Sequence, residues 1–288
     1  MKFGVVYPQT ELGSDPAVVR DFAQAAEDLG YTHFLVYDHV MGADPLGYPG
    51  WDGPYTYKDL FHEPMVLFGY LAGLTKTIEL VTGVLVLGQR QTVLVAKQAA
   101  EVDVLSGGRL RLGVGTGWNA VEYEGLGQDF HNRGARSEEQ IAVMRALWSQ
   151  EVVNFEGRWH RVRYAGINPR PASGSIPIWL GGEAPPVIQR AARIADGWMP
   201  RARLGSGAKE LIEQLHTYAR EAGRDPSSIG IDARVPLHGT DPEGWASEIK
   251  GWEEIGATHI TANTLRAEFT NLSQHIDALS RFKEVAGF

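Results

Sequence analysis

The chain has 288 residues, 43% of them hydrophobic, enough for one large α/β domain or two smaller ones with a substantial core. Its formal net charge of -8, with no basic block, argues against nucleic acid or an anionic membrane as the main partner. With no cysteine, disulfides, thiolate metal sites and thiol nucleophiles are excluded.

No apolar run reaches the roughly 18 residues that suggest a membrane span, and Met1 leads almost directly into KFGVVY without a signal-peptide layout. A cytoplasmic enzyme is the expectation. Residues 2–7 read as a strand closed by Pro8. Asp15-Pro16 starts a helix, with Val18, Phe22, Ala25 and Leu29 on one face and Gly30 as its stop. His33–Tyr37 is a second strand, ending in Asp38-His39. Met41–Phe61 has no period and is long for a βα loop; its five aromatics favour an ordered lid or pocket wall. Glu63-Pro64 opens a helix to about Lys76. Ile78–Leu87 is a buried strand broken at Thr82-Gly83, where glycine suggests a bulge or close backbone contact.

A helix over Thr92–Leu105 ends at Ser106-Gly107-Gly108, and the strand Leu110–Val114 runs into Gly115-Thr116-Gly117 and Trp118. Ser137–Trp148 reads as a helix and Val152–Val162 as a hairpin. Ile176–Leu180 is a strand ending in Gly181-Gly182, followed by a helix from Pro185-Pro186 to Ala195. Gly197–Pro200, Ile229–Val235 and Thr258–Ala262 complete the strands. Helices over Lys209–Ala222, Pro242–Ile255 and Phe269–Val285 alternate with them. About eight strands alternating with about eight helices imply a parallel sheet with helical crossovers. At this length a closed (β/α)8 TIM barrel, one domain over 1–288, is favoured over an open doubly wound sheet. Asn119–Ser175 is then an insertion between strands 4 and 5, over the mouth.

Active sites of such barrels lie at the C-terminal strand ends. Here those ends are rich in glycine and poor in paired acids, and no HxH, HExxH or repeated carboxylate cluster marks a metal site. Glycines often simply terminate strands, but three such ends (83, 115–117, 181–182) in one mouth suit a flat cofactor lying against bare backbone. His39 is the candidate catalytic acid or base, because histidine as a residue type exchanges its proton near working pH. Glu63 reads rather as a helix-start carboxylate.

Tyr37-Asp38-His39, Thr82–Leu87 and Gln91–Gly117, with Val102–Arg109 (VDVLSGGR) inside it, resemble the bacterial luciferase-like superfamily of flavin and deazaflavin oxidoreductases. Trp118-Asn119 with Glu122-Tyr123, Trp179–Gly182 and Ala195–Trp198 add to the match, which spans almost the whole chain. Within it the chain looks most like the branch that uses coenzyme F420. The resemblance implies a ring in the barrel mouth, braced by a third-strand bulge with a non-proline cis peptide, matched here by Gly83–Val84. It implies cofactor contacts from Asp38, Gly115, Thr116 and Gly117, and a phosphate end at Gly181, Gly182 and Glu183, held by N–H groups at a helix start. Arg90, Arg133, Arg136, Arg201 and Arg203 are the cations available to an acidic tail. It also implies a homodimer, with Val66, Phe68 and Leu71 as interface or core residues.

Two places depart from the sugar-phosphate dehydrogenases of that branch, where a tryptophan and a glutamate are expected: here they hold Ala43 and Trp118, which removes the expected acid partner of His39. Trp118 with Trp51, Tyr55 and Tyr57 instead suggests an aromatic substrate pocket, or core and loop packing. The expected activity is hydride transfer between F420 and a small, mainly apolar organic substrate. The alternatives are an FMN-dependent monooxygenase and a non-catalytic flavin-binding protein.

Overall fold

The computed structural model describes all residues, 1–288. In chain order the elements are β1 (Lys2–Val6), α1 (Pro16–Asp28), β2 (His33–Val36), α2 (Pro64–Ala72), β3 (Glu79–Thr82), β4 (Leu85–Val86), α3 (Thr92–Ser106), β5 (Leu110–Gly115), α4 (Ala120–Gly125) and α5 (Arg133–Ser149). There follow β6 (Val153–Glu156), β7 (Arg161–Ala165), β8 (Ile178–Gly181), α6 (Pro185–Ile194), β9 (Gly197–Met199), α7 (Ser206–Glu221), β10 (Gly230–Pro236), α8 (Pro242–Glu254), β11 (His259–Asn263) and α9 (Leu272–Ala286).

The sheet runs β3-β2-β1-β11-β10-β9-β8-β5-β4, and β3 also pairs with β5, which closes it. All these pairings are parallel, so the chain is a (β/α)8 barrel in which β3 and β4 are two halves of one strand. The break is a bulge. Val81 faces Arg111 and Leu85 faces Val114, so four steps on one strand span three on its neighbour. The chain's cis peptide bond is Asn168–Pro169; Gly83–Val84 is trans, against the sequence expectation. The extra residue by itself re-aims the strand, with Gly83 N–H held by Val36 O at 2.6 Å and Val86 N–H by an Asp38 carboxylate oxygen at 2.9 Å.

Caps explain the helix starts: Asp15 accepts from Ala17 N–H with Pro16 in the first turn, and Glu63 accepts from Val66 N–H at 2.8 Å. α3 ends on Gly107 at φ +73°, a left-handed cap that glycine adopts without steric cost. α5 begins four residues earlier than the periodicity indicates and α2 stops at Ala72, short of Lys76. Between β5 and β8 the chain forms α4, α5 and the β6–β7 hairpin. No helix is long and apolar enough to cross a membrane. Phe68 and Leu71 lie in the core, so of the three α2 residues only Val66, 71% exposed, offers itself to a partner.

The lower half of the barrel interior is filled by a buried ionic network. Arg111 donates to Asp232 at 3.1 Å, sits 2.9 Å from Glu79, and stacks over Trp179 at 4.4 Å. Thr261 donates to Asp232 at 2.6 Å and lies 2.8 Å from His33 Nε2. Glycine makes room for these groups: a Cβ on Gly4 would strike His33, and one on Gly197 or Gly230 would strike Trp179.

Candidate active site at the barrel mouth

The bulge turns Val84 into the mouth. A Cβ on Gly181 would strike the Val84 side chain, one on Gly115 would come within 2.9 Å of it, and one on Gly117 within 2.5 Å of Val86. The structure therefore brings Gly83, Val84, Gly115, Gly117 and Gly181 together, but for a reason the sequence did not disclose. These glycines leave space for two valine side chains, of which Val84 is half-buried. Thr116 spends its carbonyl on the Tyr123 hydroxyl at 2.7 Å.

His39 follows β2 and is nearly enclosed. Its Nδ1 lies 3.1 and 3.2 Å from the two carboxylate oxygens of Glu122, on α4. Glu122 is almost wholly buried and also accepts from Val40 N–H at 2.9 Å and the Gln89 side-chain amide at 3.0 Å. Burial opposes its ionisation, yet hydrogen bonds from His39, Gln89 and the Met41 N–H outweigh burial and hold its carboxyl below the usual range. An ionised carboxylate can only accept, so Nδ1 carries the proton and Nε2 is left free to exchange one. The acid partner that Trp118 removes is thus supplied by Glu122, five residues past Gly117. The N-cap at Asn119, which accepts from Val121 N–H, was the sequence signal that a helix turns this acid inward.

Aromatic rings wall His39: Phe61 at 4.7 Å, Tyr55 at 5.2 Å and Trp118 at 5.7 Å between centroids. Trp51 packs on Trp118 at 5.6 Å and donates its indole N–H to Tyr55 O at 3.2 Å. His39, Tyr55, Phe61, Tyr57 and Asn119 line a cavity of about 120 Å³. Tyr57 is 57% exposed. Trp51, Tyr55 and Trp118 are therefore gathered at one place, and Tyr57 lies on its rim.

Asp38 is buried and has both oxygens engaged. One holds Val86 N–H; the other accepts from Arg90 at 2.8 Å, and Arg90 also donates to Glu63 at 2.7 Å. Burial raises its pKa, against the Arg90 charge and the hydrogen bonds, which lower it. Asp38 thus latches β4 to the end of β2. Across the mouth, Arg234 on β10 donates to the Tyr37 hydroxyl at 3.1 Å and to Pro200 O at 3.0 Å.

The strand end at Gly181–Glu183 does not have the helix-start donors expected of it. Pro185 and Pro186 carry no N–H, and the next two N–H groups close onto Ala184 O at 2.7 and 3.1 Å. Gly182 sits at φ +123°, its carbonyl accepts from the Trp198 indole at 2.8 Å, and Glu183 brings a carboxylate with one buried oxygen unpartnered. Any phosphate there would rest on the N–H groups of Gly182, Glu183 and Ala184 alone.

The chain is similar to several known proteins. An uncharacterized protein of Mycobacterium tuberculosis is 33% identical over 246 residues, covering 83% of this chain and 82% of that one. A Nocardia farcinica protein named F420-dependent glucose-6-phosphate dehydrogenase is 30% identical over 251 residues, 84% of this chain and 71% of that one. The structure of an F420-dependent secondary alcohol dehydrogenase in complex with an F420-acetone adduct superimposes with a TM-score of 0.80 at 19% identity, over 99% of both chains, which shows the shared fold. Residues 1–259 match the model of the luciferase-like monooxygenases, and the chain belongs to that family.

Proposed function

We propose that this protein is an oxidoreductase that uses coenzyme F420 and passes a hydride between it and a small, mainly apolar organic substrate. The observation that carries the reading is the His39–Glu122 pair, enclosed by Tyr55, Phe61 and Trp118 beside the strand bulge. Named F420-dependent relatives and neighbours support the choice of cofactor. The platform fits such a group: Val84 rises over Gly115 and Gly181, where a Cβ would displace it. Gly83, Val84, Gly115, Thr116 and Gly117 would hold the ring, with Asp38 acting through its hold on Val86 N–H.

When bound, F420 supplies a ring carbon that accepts or gives the hydride. The chain's own part is to orient substrate and move a proton. His39 Nε2 takes the hydroxyl proton of an alcohol, or gives one to a carbonyl oxygen, as the hydride moves. Glu122 fixes the tautomer and stabilises the imidazolium. Trp51, Tyr55 and Trp118 keep water from the reacting carbon and favour an apolar substrate. The protein acts on a small molecule, and we expect a homodimer in which Val66 contributes to the interface.

Titration of the purified protein with F420 and with FMN, followed by fluorescence, tests the reading. Saturable F420 binding with reduction by a panel of small secondary alcohols is expected; stoichiometric FMN in freshly isolated protein would overturn it. Membership of the luciferase-like monooxygenases favours a second reading, a monooxygenase on the same platform, for which FMN is the cofactor we expect. Substrate-dependent oxygen consumption distinguishes it.

A further inference from the structure

A second cavity shares no lining residue with the one beside His39. It measures about 370 Å³ and opens where α3 begins, walled by Arg90, Thr92, Gln128, Arg136, Gln140 and His160. Three polar atoms of its walls are buried without a partner: Arg90 Nε, Arg136 Nε and Gln140 Oε1. Gln140 is 1% exposed, and its orientation is fixed because Nε2 donates to Leu87 O at 3.0 Å, Arg90 O at 3.3 Å and Thr92 Oγ1 at 3.0 Å. Its carbonyl oxygen is thus the end left over.

Several of the other wall groups are already engaged. His160 Nδ1 meets Glu139 at 2.8 Å, and Thr92 Oγ1 meets His160 Nε2 at 2.6 Å. Glu139 is also engaged by the N–H groups of Arg158, Trp159 and His160. Arg90 is balanced by Asp38 and Glu63. Arg136 has no carboxylate: it donates to Gln128 Oε1 at 2.9 Å and to Gly88 O. No side chain caps α3, and Val95 N–H is the first to close back onto Gln91 O. The N–H groups before it add a positive helix end to the two guanidinium donors.

We infer that this cavity binds a small oxyanion that also carries an O–H group, with hydrogen phosphate the simplest case. The two Nε–H groups and the α3 terminus would take the charged oxygens, and Gln140 Oε1 would accept the O–H. A buried acceptor of this kind discriminates, because an anion with no proton to donate leaves it unpaired. Sulfate, equal in shape and charge to hydrogen phosphate but without a proton, is the matched control.

The test is calorimetric titration in phosphate-free buffer with inorganic phosphate, glycerol 3-phosphate and sulfate. Expected are one site per chain and sulfate weaker by about tenfold or more. Equal affinity for the two phosphates would assign free phosphate, and tighter glycerol 3-phosphate a hydroxylated ester; either supports the inference. Gln128→Glu keeps the contact with Arg136 but adds a carboxylate to the wall, and is expected to weaken phosphate at least tenfold while leaving the melting temperature unchanged. Arg136→Met serves as the second variant should the first not fold. The inference is overturned if none of the three anions binds, if sulfate equals phosphate, if the folded variants bind as the parent does, or if saturating F420 or FMN displaces phosphate, which would assign the cavity to the cofactor's path.

Discussion

Both ends of the barrel carry a histidine paired with a buried carboxylate, and the two pairs are used differently. At the floor, His33 and Asp232 lie 3.4 Å apart, both almost fully buried, inside a network closed by Arg111, Glu79 and Thr261. Burial lowers the His33 pKa, against the pull of Asp232, so the neutral ring acts as a packing and hydrogen-bonding unit. At the mouth, His39 meets Glu122 at 3.1 Å, but its ring retains some exposure and lies beside a cavity. A pair shut inside a buried network is structural; a pair with one ring nitrogen beside open space can do chemistry. This matches the division in such barrels between a stabilising bottom face and a reactive top face.

Arg111→Met puts the most strain on the comparison. It leaves Asp232 and Glu79 without their cation, and a loss of about 3–5 kcal/mol in unfolding free energy is expected in a denaturant titration. Glu122→Gln is the counterpart at the mouth. It should lower kcat by about 100-fold or more with KM and melting temperature little changed. A fall in stability as large as that of the floor variant would mean that the two pairs are alike.

Gly181→Ala sharpens the role of the platform. Its Cβ would push Val84 aside, so cofactor affinity should fall about tenfold while His39 chemistry in the saturated enzyme is retained. Acid separates the two ends in another way. Burial, helped by the Arg111 charge, pulls the His259 pKa from 6.5 to about 3. The unfolded chain therefore takes up that proton first, and this contribution to stability is lost as pH falls from 6.5 towards 3. The expected record is a denaturation midpoint that declines over this window, and a weaker decline when His259 is replaced by Gln. Tyr57→Ala, on the exposed rim, should have the smallest effect, a change in KM below about threefold.

The barrel was legible because most of its strands and helices are bounded by a glycine, proline or capping residue of their own. The strand break at Thr82-Gly83 and the stop at Gly107 are examples. Meaning was harder to extract from the same glycines. A sequence shows that position 115 or 181 has no Cβ, but whether a ligand or a valine fills the space depends on the register of the bulge. Asp38-His39 stood out at a strand end, whereas Glu122 did not: it lies on a six-residue helix, and its partner is 83 residues away. The proline pair after Glu183 was visible as a helix start, but its cost in lost N–H donors bears on anion binding and was read only as a boundary.

Glu122 also carries a consequence for how such an enzyme changes. The carboxylate that governs His39 arrives on α4, a short turn of helix beyond the barrel wall, while the imidazole follows directly on β2 and Val84 sits in the bulge between β3 and β4. Proton handling can therefore be retuned by exchanging a few residues of one loop, with the scaffold and its seat for a planar ligand untouched. Relatives that share the barrel are free to diverge in reaction through this segment.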